Sequence, residues 1–245
     1  MPYFVVDECP VTKRSCELTV EALSSHMNGT ETVVKAVHCS KHYGAALLSN
    51  GRLVLLAQGS PKYHGSIVEH GADNVNDVAA GDTHIVFCKS DGTVYSFGYS
   101  NTYGQLGDGT VWASCTREDE PGGDGPPVLS SPQMIRGFGR GKLNIDEGDV
   151  VEGKRVCVPI ASVACGSHHT LLLTRHGNAV YCCGHGLDGQ LGGKRRPALQ
   201  PSFKSIRLLF GLPIRQVAAA GKHSFVLLQT GSCLPLETTP AGSSA

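Results

Sequence analysis

One block of sequence recurs along this chain, and it restricts the possible folds more than any other feature. Its fullest copy starts at Val163-Ala164-Cys165-Gly166 and runs through His169-Thr170-Leu171-Leu172-Leu173 and Ala179-Val180-Tyr181-Cys182-Cys183-Gly184 to Gly189-Gln190-Leu191-Gly192. A second copy starts at Val78-Ala79-Ala80-Gly81 and continues through His84 and Tyr95-Ser96-Phe97-Gly98 to Gly104-Gln105-Leu106-Gly107. A third runs from Val217 through His223 and breaks off after Gly231, and a degenerate first copy spans Val37 to Leu56. The leading valines stand at 37, 78, 163 and 217, so the spacings are 41, 85 and 54 residues.

Each copy reads as a hairpin. His169–Leu173 and Ala179–Cys183 are short apolar runs joined by a polar turn that ends in Gly177, and Asn50-Gly51 marks the same turn in the first copy. The stretch from Pro201 to Ile214 is expected to add further strands before the next valine. Four strands in about 50 residues suit a propeller blade. A helical reading fails, because glycine interrupts every window with a three-to-four period. The expected fold is all-β, a propeller of four-stranded blades.

The pattern V-A-x-G-x-x-H-[ST]-h-h-L-T-x-x-G-x-V-Y-x-h-G, followed by G-Q-L-G, resembles the repeat of the regulator of chromosome condensation family. It is carried most fully by Val78–Gly107 and Val163–Gly192, in part by Val217–Gly231 and weakly by Val37–Leu56. The resemblance implies a propeller, usually seven-bladed, and a role in protein interaction. The best-known relatives are guanine-nucleotide exchange factors for the small GTPase Ran, and others are adaptors or domains attached to ligases and kinases. Seven blades would take about 350 to 400 residues, against 245 here. The expected structure is therefore an incomplete or open ring of about three to four blades, whose free sheet edges invite self-association. A fragment, a smaller ring and half of a dimeric one are the alternatives. The expected organisation is a divergent segment over 1–33, repeats over 34–231 with an insertion at about 108–158, and a disordered tail over 232–245.

Within the repeat, Gly81, Gly98, Gly104, Gly107, Gly166, Gly184, Gly189 and Gly192 read as turn positions, and Gln105 and Gln190 as part of one recurring turn. His84, His169 and His223 each follow their valine by six residues. A catalytic group is needed once, so a histidine in successive blades reads as a buried imidazole that hydrogen-bonds backbone and ties strand to turn. Gly184-His185-Gly186-Leu187-Asp188-Gly189 matches a dinucleotide fingerprint in form only, since no helix follows it. Gly137–Lys142 lacks the spacing of a phosphate-binding loop. Vicinal Cys182 and Cys183 lie near Cys165, His168, His169 and His185, yet neighbouring strand residues point to opposite faces. Both thiols therefore read as small core hydrophobes rather than as ligands of one metal.

Lysine and arginine number 21, as do aspartate and glutamate, so the formal net charge is zero. That balance argues against nucleic-acid binding driven by phosphates. The start of the chain shows no basic segment before an apolar run, and no stretch approaches a membrane span, so a cytoplasmic or nuclear location is expected. The ten cysteines include no C-x-x-C pair and read as reduced thiols. No cofactor and no metal is expected.

The insertion holds Trp112, then Arg117-Glu118-Asp119-Glu120 and a Gly/Pro run, and Pro132–Ile135 resumes blade-like sequence. Loops on rigid scaffolds carry function and tryptophan is frequent at interface centres, so these residues are the candidate partner contact. The basic cluster Lys194-Arg195-Arg196 is a second candidate. The expected function is a non-enzymatic interaction scaffold that binds a protein through loops on one propeller face. Guanine-nucleotide exchange on a Ran-like GTPase is the alternative. A thiol- or metal-dependent hydrolase built on Cys165, His168 and His185 comes third, because no nucleophile, base and orienting group stand together in the sequence.

Overall fold

Each copy of the repeat folds as an antiparallel meander, because short apolar runs alternate with turns that end in glycine. The computed structural model describes residues 3–6, 16–19, 34–39, 43–57, 67–68, 73–113, 129–139, 149–151, 154–193 and 197–236. Blade 1 consists of Val34–Cys39, Tyr43–Leu48, Leu53–Ala57 and Ile67–Val68, and blade 2 of Val75–Ala80, His84–Lys89, Val94–Gly98 and Gln133–Ile135. Blade 3 consists of Ile160–Cys165, His169–Thr174, Val180–His185 and Leu199–Ser205. Blade 4 has three described strands, Ile214–Ala220, His223–Leu228 and Cys233–Pro235. The chain is thus an all-β, incomplete propeller of four blades. Two antiparallel pairs stand outside the blades, Tyr3–Val6 with Cys16–Thr19 and Asp149–Val151 with Lys154–Val156. Among the described residues, no helix is long and apolar enough to cross a membrane.

The sequence between Pro201 and Ile214 behaves differently from the expectation of several strands. It completes one strand, Leu199–Ser205, then makes a 3-10 turn at Arg207–Leu209, and Ile214 opens the next blade. After its outermost strand the chain must cross back to the first strand of the following blade, and the Gly211–Pro213 stretch makes that crossing.

The core lies between blades rather than within them. Ala45 and Leu47 of blade 1 pack against Val78, Ile85 and Phe87 of blade 2. Val86 and Cys88 pack against Val163 and Leu172 of blade 3, and Leu171, Leu173 and Val180 pack against Val217 and Val226 of blade 4. Alternate residues of one strand therefore serve two seams. Such a strand is buried on both faces, which is why His169–Leu173 reads as an unbroken apolar run.

Polar contacts align the seams. His84 Nε2 lies 2.9 Å from Thr170 Oγ1 in the next blade, and His169 Nε2 lies 2.7 Å from Ser224 Oγ in the one after. The Thr170 hydroxyl donates to the Gln105 carbonyl at 2.8 Å, so its oxygen accepts the proton of His84 Nε2. The histidines thus lock blade to blade, where strand-to-turn bonding to backbone was expected. The reason is local: the Gly81 N–H already donates to the His84 carbonyl at 2.8 Å, and the Gly166 N–H to that of His169 at 3.0 Å. The rings turn instead into the seam, where the facing hydroxyl is their partner. Each ring lies against its own glycine. A Cβ at Gly81 would overlap the His84 ring and the Gly166 carbonyl, and one at Gly166 would overlap the His169 ring and the Gly221 carbonyl.

Backbone follows the same path, with Asp82 N–H donating to Ser167 O at 3.1 Å and Ser167 N–H to Gly221 O at 2.8 Å. The first strand of every blade slips register at an equivalent place, Val34/Ala36, Val75/Asp77, Ile160/Ser162 and Ile214/Gln216. Between blades 2 and 3 this bulge becomes a clamp. The Asn76 amide donates to Ala161 O at 2.8 Å, and the Asp77 carboxylate accepts from the Ser162 hydroxyl at 2.7 Å and the Val163 N–H at 2.9 Å.

Burial, reinforced by neighbouring histidines, pushes His84 down to about 3 and His169 down to about 4, so both are neutral at pH 7. Their folded values lie below the unfolded 6.5, so the stability they contribute is complete above pH 6.5 and is lost as pH falls toward 4. Each histidine should weaken folding by about 1 kcal/mol per pH unit in that window. Urea unfolding followed at pH 7 and pH 5 should show a lower midpoint at pH 5, with a smaller drop in His84→Gln. Equal drops in the two proteins would contradict the assignment.

Candidate functional site

In an antiparallel meander, the loops after the first and third strands emerge on one side of the blade. The turns after the second strand emerge on the other. Successive blades therefore collect residues 81–83, 166–168 and 221–222 on the same face as the connections that follow Gly98 and His185. The recurring Gly-Gln-Leu-Gly turn shapes this face. Gly104 and Gly107 have φ of 73° and 72°, Gly189 and Gly192 of 88° and 65°, a region that L side chains avoid. Gln105 and Gln190 are buried between them, as are Leu106 and Leu191. The Gln105 amide donates to Thr83 Oγ1 and Ser100 O, both at 2.9 Å, and its carbonyl oxygen accepts the Tyr103 N–H at 2.9 Å. Gly98 and Gly184 pair in register with His84 and His169, where a Cβ would strike the Thr83 and His168 carbonyls.

The turn delivers Tyr103 across the seam. Its ring sits 5.0 Å from that of His168 and 4.8 Å from that of His185, both in blade 3. The Gln190 amide donates to His185 Nδ1 at 2.8 Å, and burial lowers the pKa of His168. Blade 4 adds Lys222, whose Nζ lies 3.4 Å from Asp188 Oδ2; this exposed pair contributes little to stability. Side chains from three blades thus form one continuous polar and aromatic patch. Sequence reasoning named His168 and His185 only as parts of a weak catalytic set and missed Tyr103. The available signal was its place immediately before Gly104-Gln105, the position Asp188 holds before Gly189-Gln190.

Trp112 is half-buried and anchored to this face. Asn101 N–H donates to Trp112 O at 3.1 Å and Trp112 N–H to Asn101 O at 3.4 Å. Arg117, Glu118, Asp119, Glu120, Lys194, Arg195 and Arg196 lie outside the described residues, as do residues 237–245 of the tail. The span 108–158 contains the fourth strand of blade 2, since Gln133–Ile135 pairs with Val94–Ser96. The connection from 113 to 129 begins and ends on the loop face. The connection that holds the Asp149–Val156 hairpin leaves from the opposite face.

The cysteines sit in different environments. Cys182 Sγ points to Leu191 O at 3.5 Å while Cys183 Sγ points to Gln105 O at 3.4 Å, so the neighbours occupy opposite faces of blade 3. Burial pushes Cys165 and Cys182 up to about 12 and Cys183 well above its usual value. Neutral thiols are weak nucleophiles and weak metal ligands. Among the described residues, no three His, Cys, Asp or Glu side chains converge on a point that could hold a metal. His223 is exposed, unlike His84 and His169, and it shares its strand face with Phe225, which is 40% exposed. The equivalent Val86 and Leu171 are 0% exposed under the next blade.

Comparison with known proteins agrees with the blades. Models of the regulator of chromosome condensation (RCC1) repeat match residues 75–105, 160–190 and 91–143. The chain is 32% identical over 177 residues to the probable E3 ubiquitin-protein ligase HERC4 of Rattus norvegicus, an alignment that covers 64% of this chain and 17% of that protein. Human WBSCR16 superposes with a TM-score of 0.59 at 21% identity, over 84% of this chain and 47% of that one. Yeast RCC1 (Prp20), in its crystal with Kap60, superposes with a TM-score of 0.57 at 17% identity, over 91% of this chain and 46% of that one. The chain thus spans less than half the length of either propeller and 17% of the ligase.

Iodoacetamide labelling of the native protein, mapped by mass spectrometry, should reach exposed Cys233 well before Cys165, Cys182 or Cys183. Early labelling of Cys165 would show an activated thiol and contradict its assignment to the core.

Proposed function

The chain is a partial propeller of the regulator of chromosome condensation repeat family, and from that premise we propose that it is a non-enzymatic scaffold that binds a partner protein through its loop face. One observation carries this reading: Tyr103, His168, His185, Asp188 and Lys222, from three blades, form a single surface, and Asn101, two residues before Tyr103, anchors Trp112. Inter-blade bonds hold that surface before any partner arrives, which limits the entropy lost on binding. Yeast RCC1, which shares this fold, was crystallised bound to another protein, Kap60. The reading includes self-association through the uncovered face of blade 4, and a cytoplasmic or nuclear location.

A pulldown should compare the intact protein with a variant whose residues 114–128 are replaced by a Gly-Ser linker, and with Tyr103→Ala. Both variants should lose the specific partner. The same partner list for all three proteins would defeat the proposal.

A second reading, nucleotide exchange on a Ran-like GTPase, draws on the hairpin of Asp149–Val151 and Lys154–Val156 inserted between blades 2 and 3. An inserted element of this kind suits a wedge that favours the nucleotide-free state by differential binding. Release of labelled GDP from Ran should then accelerate in excess protein and slow again when residues 149–156 are deleted. An unchanged release rate removes this reading.

A further inference from the structure

Away from the loop face, the outer strands of blades 2 and 3 enclose a groove of about 840 Å³. Its two walls are Met134–Phe138 and Ser202–Ser205, and Gly107–Gly109 close one end. Three cations line it, Arg136 from blade 2 and Lys204 and Arg207 from blade 3, all exposed, against one carboxylate, Asp108. None of the three cations makes an ion pair among the described residues. In a chain whose formal net charge is zero, this is a local concentration of positive charge.

Phe138, Tyr181 and Phe203 line the groove beneath these cations. Phe138 meets Tyr181 edge-to-face with centroids 5.2 Å apart and Phe203 at 5.6 Å. Tyr181 is 6% exposed, and its hydroxyl is buried without a hydrogen-bond partner. A buried phenol left unpaired is destabilising, and an acceptor brought into the groove would relieve it. The walls are also the outer edges of two sheets. Gln133–Ile135 pairs only with Val94–Ser96 among the described strands. Leu199–Ser205 pairs with the third strand of its blade, and its other backbone partner among the described residues is the Asp108–Gly109 turn, at Pro201 and Ser202. Such edges add an extended chain readily.

We propose that this groove binds an extended acidic segment of a partner protein, with carboxylates on Arg136, Lys204 and Arg207 and an apolar side chain against the aromatic floor. The cationic rim selects negative charge, the apolar floor selects a side chain, and the free strand edge selects an extended backbone. Single-stranded nucleic acid, the other anionic polymer, needs open aromatic faces on which bases stack. Here the rings are packed edge-to-face against one another, and Phe138 and Tyr181 are buried. An acidic peptide fits better.

The test is fluorescence polarisation on the full chain with three labelled probes: a peptide alternating glutamate and leucine, one alternating lysine and leucine, and a uridine oligonucleotide. The glutamate peptide should bind, and raised salt should weaken it. Lys204→Glu combined with Arg207→Glu should raise its Kd about tenfold or more, since charge-assisted bonds are lost. Tyr181→Phe keeps the ring packing and should raise the Kd about fivefold with little change in the thermal midpoint. Arg136→Ala, on the opposite wall, carries the test should the double variant fail to fold. Binding of the lysine peptide as tight as that of the glutamate peptide, indifference to all these substitutions, or tighter binding of the oligonucleotide would overturn the proposal.

Discussion

A histidine reaching across the seam to a hydroxyl on the next blade, from blade 2 to blade 3 and from blade 3 to blade 4, is the contact on which the rest of this structure depends. It requires a glycine beneath the ring, a serine or threonine opposite, and a dry seam that keeps the imidazole neutral. Remove the glycine and the ring has no room. Remove the hydroxyl and a buried N–H is left unpaired, which is more costly than never having buried it. Around this contact the apolar residues of two strands interdigitate, so a blade has no core of its own and borrows half of one from each neighbour.

The same logic gives the fourth blade its character. Its strands present to blade 3 the serine and valine that the lock expects, and they turn outward the histidine and phenylalanine that would engage a further blade. Blade 4 is thus half of a seam. Its inward face buries Val217, Ser224 and Val226, while Phe225 stands where Leu171 is covered in blade 3.

Rigid seams also explain how two separate surfaces arise from one repeat. On the loop face, the Gly-Gln-Leu-Gly turn carries Tyr103 over to the histidines of the next blade, because both glycines take positive φ and Gln105 satisfies the backbone around it. On the outer rim, where the fourth strands diverge, the two blades leave a groove with aromatic walls and a cationic border. Both surfaces lie across a seam, so neither exists in an isolated blade.

Much of this was legible in the residues. Valine, glycine and histidine at constant offsets marked the blades, because turn chemistry and strand alternation act over a few residues and leave a local trace. The core role of Cys182 and Cys183 followed from strand alternation, which sends neighbouring residues to opposite faces. The partner of each histidine was not legible, since Thr170 lies 86 residues from His84, and Ser224 lies 55 from His169. Nor could spacing show that Gln133–Ile135 is a fourth strand that puts the two halves of the long excursion on opposite faces. The unpaired hydroxyl of Tyr181 was invisible for the same reason, and Tyr103 carried no signal beyond its place before Gly104-Gln105. The sequence by itself determined the blade, its turns and its family, because those are written in short-range periodicity. Only the tertiary structure decided which side chains meet across a seam and which face is left open, because those depend on how one blade stacks on the next.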